Sequence, residues 1–105
     1  MKTTSILTKY QNYCAFCGKP SNQEHHLVFG QGVRQLAEED GIKLPVCDAC
    51  HTLGELTKRI HDNIMAEKLS KMCGQLAYEK QKCADGFTQD EARQMFRKRY
   101  GTSYL

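Results

Sequence analysis

Two consecutive histidines, His25 and His26, stand between two Cys-x-x-Cys pairs, Cys14/Cys17 and Cys47/Cys50, and a further histidine, His51, directly follows the last cysteine. Each pair can bring two sulfurs to about the 2.3 Å Zn–S distance, so the four thiols can surround one Zn²⁺ tetrahedrally. A site closed by four sulfurs has no open position, so it holds structure and does no chemistry. The histidines are then left over. Imidazoles gathered beside a rigid staple can form a second metal site and supply a general base. That combination points to a metal-dependent nuclease.

Adjacent residues on a strand face opposite sides, so one histidine of the doublet can ligate a metal while the other faces substrate. His25 and His51 are the leading candidate ligands, with His61 as a third. On one continuous helix His51 and His61 would lie about 15 Å apart along the axis and about 80° apart around it, too far to share an ion. Sharing requires a break, and Gly54 stands where it would fall. The alternatives are a histidine that replaces a cysteine in the zinc site, or imidazoles that are simply satisfied surface groups. Arg34 offers a guanidinium that matches phosphate oxygens, and its plainer role is an i,i+4 pair with Glu38. Glu24 can hydrogen-bond a ligand histidine or remain an exposed carboxylate. The run Arg97-Lys98-Arg99 reads as a solvated helix face that could touch DNA.

The elements that must position these groups are short. Residues 1–13 are polar and read as loose. Cys14 to Gly18 reads as a zinc knuckle, with Gly18 relieving the backbone after the second ligand. Residues 26–29 predict a strand closed by Gly30 and Gly32, and residues 33–40 a short helix stopped by Gly41. Residues 42–46 alternate as a second strand, which Pro45 confines to an edge. Asp48 can cap a helix running from 49 towards 60. A longer helix follows over 63–82, with Ile64, Leu69, Met72, Leu76 and Ala77 on one stripe. Thr88 to Glu91 forms a capping box for a last helix that carries Ala92, Met95 and Phe96 and ends at Gly101.

A chain of 105 residues suggests one modest domain, whose core is small enough to profit from a structural metal. The six cysteines could also form a secreted disulfide scaffold. Zinc spacing and a polar start without an apolar signal segment argue against that. The expected setting is a reduced cytoplasm, with Cys73 and Cys83 as free thiols on helices. No stretch approaches the roughly 18 apolar residues of a membrane span, so no membrane partner is expected. The net charge is only +3, but it is unevenly spread. Residues 1–23 carry Lys2, Lys9 and Lys19 without an acid, whereas residues 24–57 set six acids against Arg34 and Lys43. Basic flanks can grip phosphates on either side of a metal that neutralises the acidic centre. Ordinary solvated surface charge accounts for the pattern as well.

The pattern Cys14-x-x-Cys17, Glu24-His25-His26-Leu27, Cys47-x-x-Cys50-His51 resembles the HNH endonucleases of ββα-metal fold, and more closely their small phage-encoded members. His25 to Gly30, Arg34, His61-Asp62-Asn63 and the ending from Phe96 to Tyr104 extend the likeness over most of the chain, the middle third being its specific part. The resemblance implies an α+β fold: a zinc-stapled ββα-metal core over about residues 12–62 and a helical extension over about 63–105, in one domain spanning 1–105. It makes His26 the general base and His25 and His51 ligands of a catalytic divalent ion (Mg²⁺, Mn²⁺, Ni²⁺ or Zn²⁺), which His61 completes. Arg34 is the expected substrate contact. DNA is the implied substrate, cut to 5′-phosphate and 3′-hydroxyl ends in a bacterial host cell, with phage packaging or recombination proteins as possible partners. The alternative is a non-catalytic zinc module that binds DNA or a phage protein. The family's middle asparagine is absent from residues 41–46, where Glu39 or Asp40 could take its place.

Overall fold

The computed structural model describes residues 4–105; residues 1–3 of the expected loose N-terminal stretch lie outside these. In chain order come β1 (Gln23–His26), α1 (Arg34–Asp40), β2 (Lys43–Val46), a π-helical turn (Ala49–Leu53), α2 (Ile64–Ala84) and α3 (Gln89–Tyr100). The two strands pair antiparallel, so the protein is a small mixed domain of one two-stranded sheet and helices, compatible with the α+β expectation.

The first strand lies earlier than the apolar run at 26–29 implies. Backbone pairing sets Gln23 opposite Val46 and His26 opposite Lys43, and one further bond joins Leu27 N–H to the Ile42 carbonyl at 3.0 Å. Leu27 and Val28 then leave the ribbon and are buried beneath α2. Their apolarity reports burial against a helix, not strand alternation. Pro45 sits opposite Glu24 and turns its carbonyl to the outer edge, where it accepts from Ala15 N–H at 2.9 Å. The ribbon therefore loses nothing to the missing proline donor. The described part of the N-terminal stretch is tied down rather than loose: Ile6 N–H donates to the Gly41 carbonyl at 2.9 Å.

Helix α1 begins where the spacing of Val33, Leu36 and Ala37 places it and ends at Gly41 in a left-handed cap. Helix α3 carries the expected capping box between Thr88 and Glu91. Its buried face is Ala92, Phe96 and Tyr100, of which Phe96 and Tyr100 meet Val28, Ala37, Ile42 and Tyr78 in the main core, with Met95 packed alongside. The α2 stripe is a correction. Ile64, Leu69 and Leu76 are 74%, 56% and 53% exposed, and the buried face is Ser70, Gly74, Gln75, Tyr78 and Glu79. Of the expected stripe Ala77 does pack against the main core, beside Tyr78. At Ser70 and Gly74 the buried face is small because it packs closely against the backbone at Leu27, and at Gln75 and Glu79 it is polar because it holds the chain's end. Gln75 donates to Glu79 and Ser103 and accepts from Tyr104 N–H, and Arg93 binds both Glu79 oxygens.

Gly74 makes the close approach possible. A Cβ there would lie 2.9 Å from both Leu27 Cβ and Val28 Cγ2. Gly74→Ala should therefore lower the melting temperature by several degrees, because about 1–3 kcal/mol of overpacking outweighs the roughly 1 kcal/mol of helix propensity that alanine brings. A melting temperature equal to or above wild type would show that the strand and helix can separate at little cost.

Candidate metal centres and active-site cleft

The first cluster is assembled from two turns. In the N-terminal knuckle Gly18 N–H returns to the Cys14 carbonyl at 3.0 Å, and Cys14 N–H donates to the Lys19 carbonyl at 2.7 Å. The second pair straddles the end of β2 and the start of the π-helical turn. The Sγ atoms of Cys14, Cys17, Cys47 and Cys50 all lie within 4.8 Å of one another, so these residues can hold a metal ion. Cys17 and Cys47 are 3.6 Å apart, close to the ~3.8 Å edge of a tetrahedron with 2.3 Å bonds to a central ion. The cluster fits zinc in its donors as well as its size. Burial raises the Cys14 thiol, but backbone N–H groups of Cys17, Cys47 and Phe16, with the Cys17 side chain, outweigh it and bring it down to about 6. Burial and the neighbouring sulfurs push Cys50 upward. Without a cation, four thiolates cannot share this space. All six cysteines are free, and Cys73 and Cys83 lie exposed on α2 as expected.

The segment after Cys50 departs from the expected helix over 49–60. Asp48 makes no side-chain cap, and the helical turn stops at Gly54, whose backbone is extended. A Cβ at Gly54 would run into the Ala49 carbonyl oxygen, so only glycine fits. The chain then loops back. Ile60 N–H donates to the Cys50 carbonyl at 3.0 Å and His61 N–H to the His51 carbonyl at 3.1 Å. This return brings together two histidines that a continuous helix would keep apart. Arg59 locks the return through the Gly54 and His61 carbonyls and Asp62. Asp62 has a positive φ of 65°, and its N–H is taken up by Glu67. Neither Arg59 nor Glu67 stands out in the sequence, because their partners are backbone groups and side chains that only the loop brings within reach.

His25, His51 and His61 form the second cluster, again with one ligand atom each within 4.8 Å of the others. His25 is 1% exposed and packs edge-on against the rings of Phe29, His51 and His61. Each imidazole commits one nitrogen to an oxygen. His25 Nε2 is 2.7 Å from Ser70 Oγ, which itself donates to the Leu27 carbonyl. His51 Nδ1 is 2.7 Å from Gln23 Oε1, and His61 Nδ1 is 3.3 Å from Glu67 Oε2. With those nitrogens as donors, Nδ1 of His25 and Nε2 of His51 and His61 keep their lone pairs, which is how outer partners prepare metal-binding histidines. Burial above all, then repulsion from His51, His61 and His26, holds the His25 imidazole down at about 3. His51 is lowered in the same way. Neutral imidazoles are the form a metal binds.

His26 points to the other side of the ribbon, as its neighbour's position requires. Its Nε2 lies 2.8 Å from Glu38 Oε1, and its Nδ1 accepts from Arg34 Nε at 3.3 Å. Arg34 thus reaches the candidate base itself. Glu24 does not serve a ligand histidine through its Oε2, which pairs with Lys43 at 3.0 Å. Asp40 and Glu39 act outside the cleft, as a brace of the link between the strands. Asp40 accepts from Arg99 and Tyr100, and Glu39 from Arg99, so they fasten the link between the strands to α3. Arg99 is accordingly a structural clasp. His26, Arg34, Glu38, Gln23 and His51 line an open cleft of about 860 Å³. No helix among the described residues is long and apolar enough to cross a membrane. No family model, curated protein or solved structure matches this chain.

Two outcomes follow from the histidine cluster. His51→Ala should leave the four-sulfur ion and the fold in place while the bound-metal count falls by one. Loss of the sulfur-bound ion would instead assign His51 to the cysteine cluster. The second concerns pH. Between about pH 6.5 and 3 an unfolded His25 binds a proton that the folded, metal-free site refuses, so stability is full above pH 6.5 and falls as pH drops through that window. From pH 7.5 to 5.5 the loss should be on the order of 1 kcal/mol in urea unfolding of protein stripped of the histidine-bound ion. The loss should be smaller in His25→Ala, where the lowered His51 alone of the two remains.

Proposed function

We propose that this chain is an HNH-type, metal-dependent DNA endonuclease with a zinc-braced ββα-metal core. One observation carries the reading: a three-histidine, metal-competent cluster and a histidine backed by a carboxylate sit on opposite faces of one strand, beside an arginine and an open cleft. Cys14, Cys17, Cys47 and Cys50 hold the structural Zn²⁺. His25, His51 and His61 hold a catalytic divalent ion, which supplies Lewis-acid stabilisation of charge on the phosphate and the leaving 3′-oxygen.

His26 takes a proton from the water that attacks phosphorus in line. Imidazole is the side chain most often used as a general base near neutral pH. Arg34 leaves His26 to bind the phosphate oxygens, for which its planar fork is suited. The basic segments at 1–23 and 58–84 carry the flanking DNA by charge.

Incubation of supercoiled plasmid with the purified protein and Mg²⁺, Mn²⁺, Ni²⁺ or Zn²⁺ tests the proposal. Metal-dependent nicking that leaves 5′-phosphate ends supports it. A gel shift without nicking in any of the four metals replaces it with the binding-module reading.

A further inference from the structure

Lys43 has no exposed surface, yet it stands in a strand position that an apolar residue could fill. Its ammonium lies 2.8 Å from Glu38 Oε2 and 3.0 Å from Glu24 Oε2. Burial alone would lower this lysine, but hydrogen bonds and charge from Glu38 and Glu24 outweigh it and raise it. Lys43 therefore stays charged. Burying such an ion pair is seldom favourable over a well-packed apolar residue of similar size, so the arrangement calls for a purpose beyond packing.

The donor and acceptor logic supplies one. Lysine can only donate, so Glu38 Oε2 is fixed as an acceptor, and the ammonium held against it favours the ionised carboxylate. The other oxygen, Oε1, must then also accept, and it takes the proton of His26 Nε2 at 2.8 Å. Nδ1 is left unprotonated, which agrees with Arg34 Nε–H donating to it at 3.3 Å. Lysine, glutamate and arginine, from β2 and α1, enforce the same tautomer.

We propose that Glu38, anchored by Lys43, is a positioning residue that holds His26 as its Nε2–H tautomer, so that the Nδ1 lone pair is presented beside Arg34 at the cleft. The catalytic meaning of this rests on the reading of His26 as general base; the tautomer itself does not. Glu38→Gln makes the device visible. Lys43 would claim the amide carbonyl, turning the amide NH₂ towards His26 Nε2. That nitrogen would become the acceptor, and the proton would move to Nδ1, the atom that must take a proton from water. The backbone and the side-chain volume change little.

The test is ¹⁵N NMR of histidine-labelled, zinc-loaded protein beside single-turnover plasmid nicking. In wild type, His26 should show protonated Nε2 and bare Nδ1. Glu38→Gln should reverse the two and slow nicking by about 100-fold or more with DNA affinity unchanged, as expected for a wrong tautomer. Glu38→Asp should restore the wild-type pattern in part. Protonated Nδ1 in wild type overturns the proposal, even if Glu38→Gln fails to fold. So does a Glu38→Gln protein whose His26 signals are unchanged. A chain with the stated tautomers that never nicks DNA overturns the nuclease reading and leaves the anchored histidine standing.

Discussion

Cys47→Ser should abolish the cooperative melting transition and leave the protein without its sulfur-bound ion. Two small cores hold this fold, and they differ in kind. The main one is aromatic and aliphatic, with Phe96 stacked on Tyr100 and edge-on to Tyr78. The other consists of Val46 and Ile60 with Cys14 and Cys47, and Leu44 and Cys50 packed against it. Half of that cluster's buried residues are thiols placed where they can hold a metal ion, so the expected loss rests on that ion adding what apolar burial does not. Structural zinc in small domains contributes on the order of 10 kcal/mol, comparable to the whole net stability of roughly 5–15 kcal/mol for a domain. Serine offers no thiolate and leaves three sulfurs around a cation. Cys73→Ser and Cys83→Ser, on the exposed surface of α2, are the controls and should melt as wild type. Circular dichroism and metal analysis read the result. A zinc-free Cys47→Ser protein with a cooperative transition near the wild-type temperature would remove the staple from the architecture.

What could be read from the sequence divides along a physical line. Chemistry-bearing residue types were legible: the four cysteines by the short spacing within each pair, and His25, His51 and His61 as imidazoles left over, which do come together in a second, separate cluster. Capping signals were equally clear, at Gly41, Thr88 and Gly101. Apolar runs misled. Leu27 and Val28 read as strand but mark burial beneath α2, and Ile64, Leu69 and Leu76 of α2 face outward while Ser70, Gly74 and Gln75 pack inward beside Tyr78. Helical periodicity cannot reveal a face selected for close approach and hydrogen bonding rather than hydrophobicity. The loop at 54–63 was hidden for a related reason. Its shape depends on Arg59 binding the Gly54 and His61 carbonyls, contacts that no local pattern encodes. Glu38 was legible only as an i,i+4 partner for Arg34 and Lys43 only as one charge among several, because the value of a buried ion pair depends on what the carboxylate's other oxygen holds.

His26→Ala should separate the two faces of β1. The imidazole touches Glu38 and Arg34 and belongs to neither metal cluster. Removing it should leave the bound-metal count and DNA affinity near wild type, with at most a small change in melting temperature. Nicking should fall by at least about 100-fold, the lower end of what a general base contributes. The loss should appear in turnover, since a group that accepts a proton as water attacks acts in the transition state and not in binding. His25→Ala is the contrast. It removes one of three imidazoles from the histidine cluster, so metal affinity falls and excess divalent ion restores part of the cutting. Rescue of His26→Ala by metal, with His25→Ala unresponsive, would exchange the roles of the two residues. Nicking undiminished in both variants would place the activity outside this cleft. The doublet is informative because one peptide unit separates the two side chains. Any difference between the variants must come from the face of the strand each occupies, not from their place in the chain.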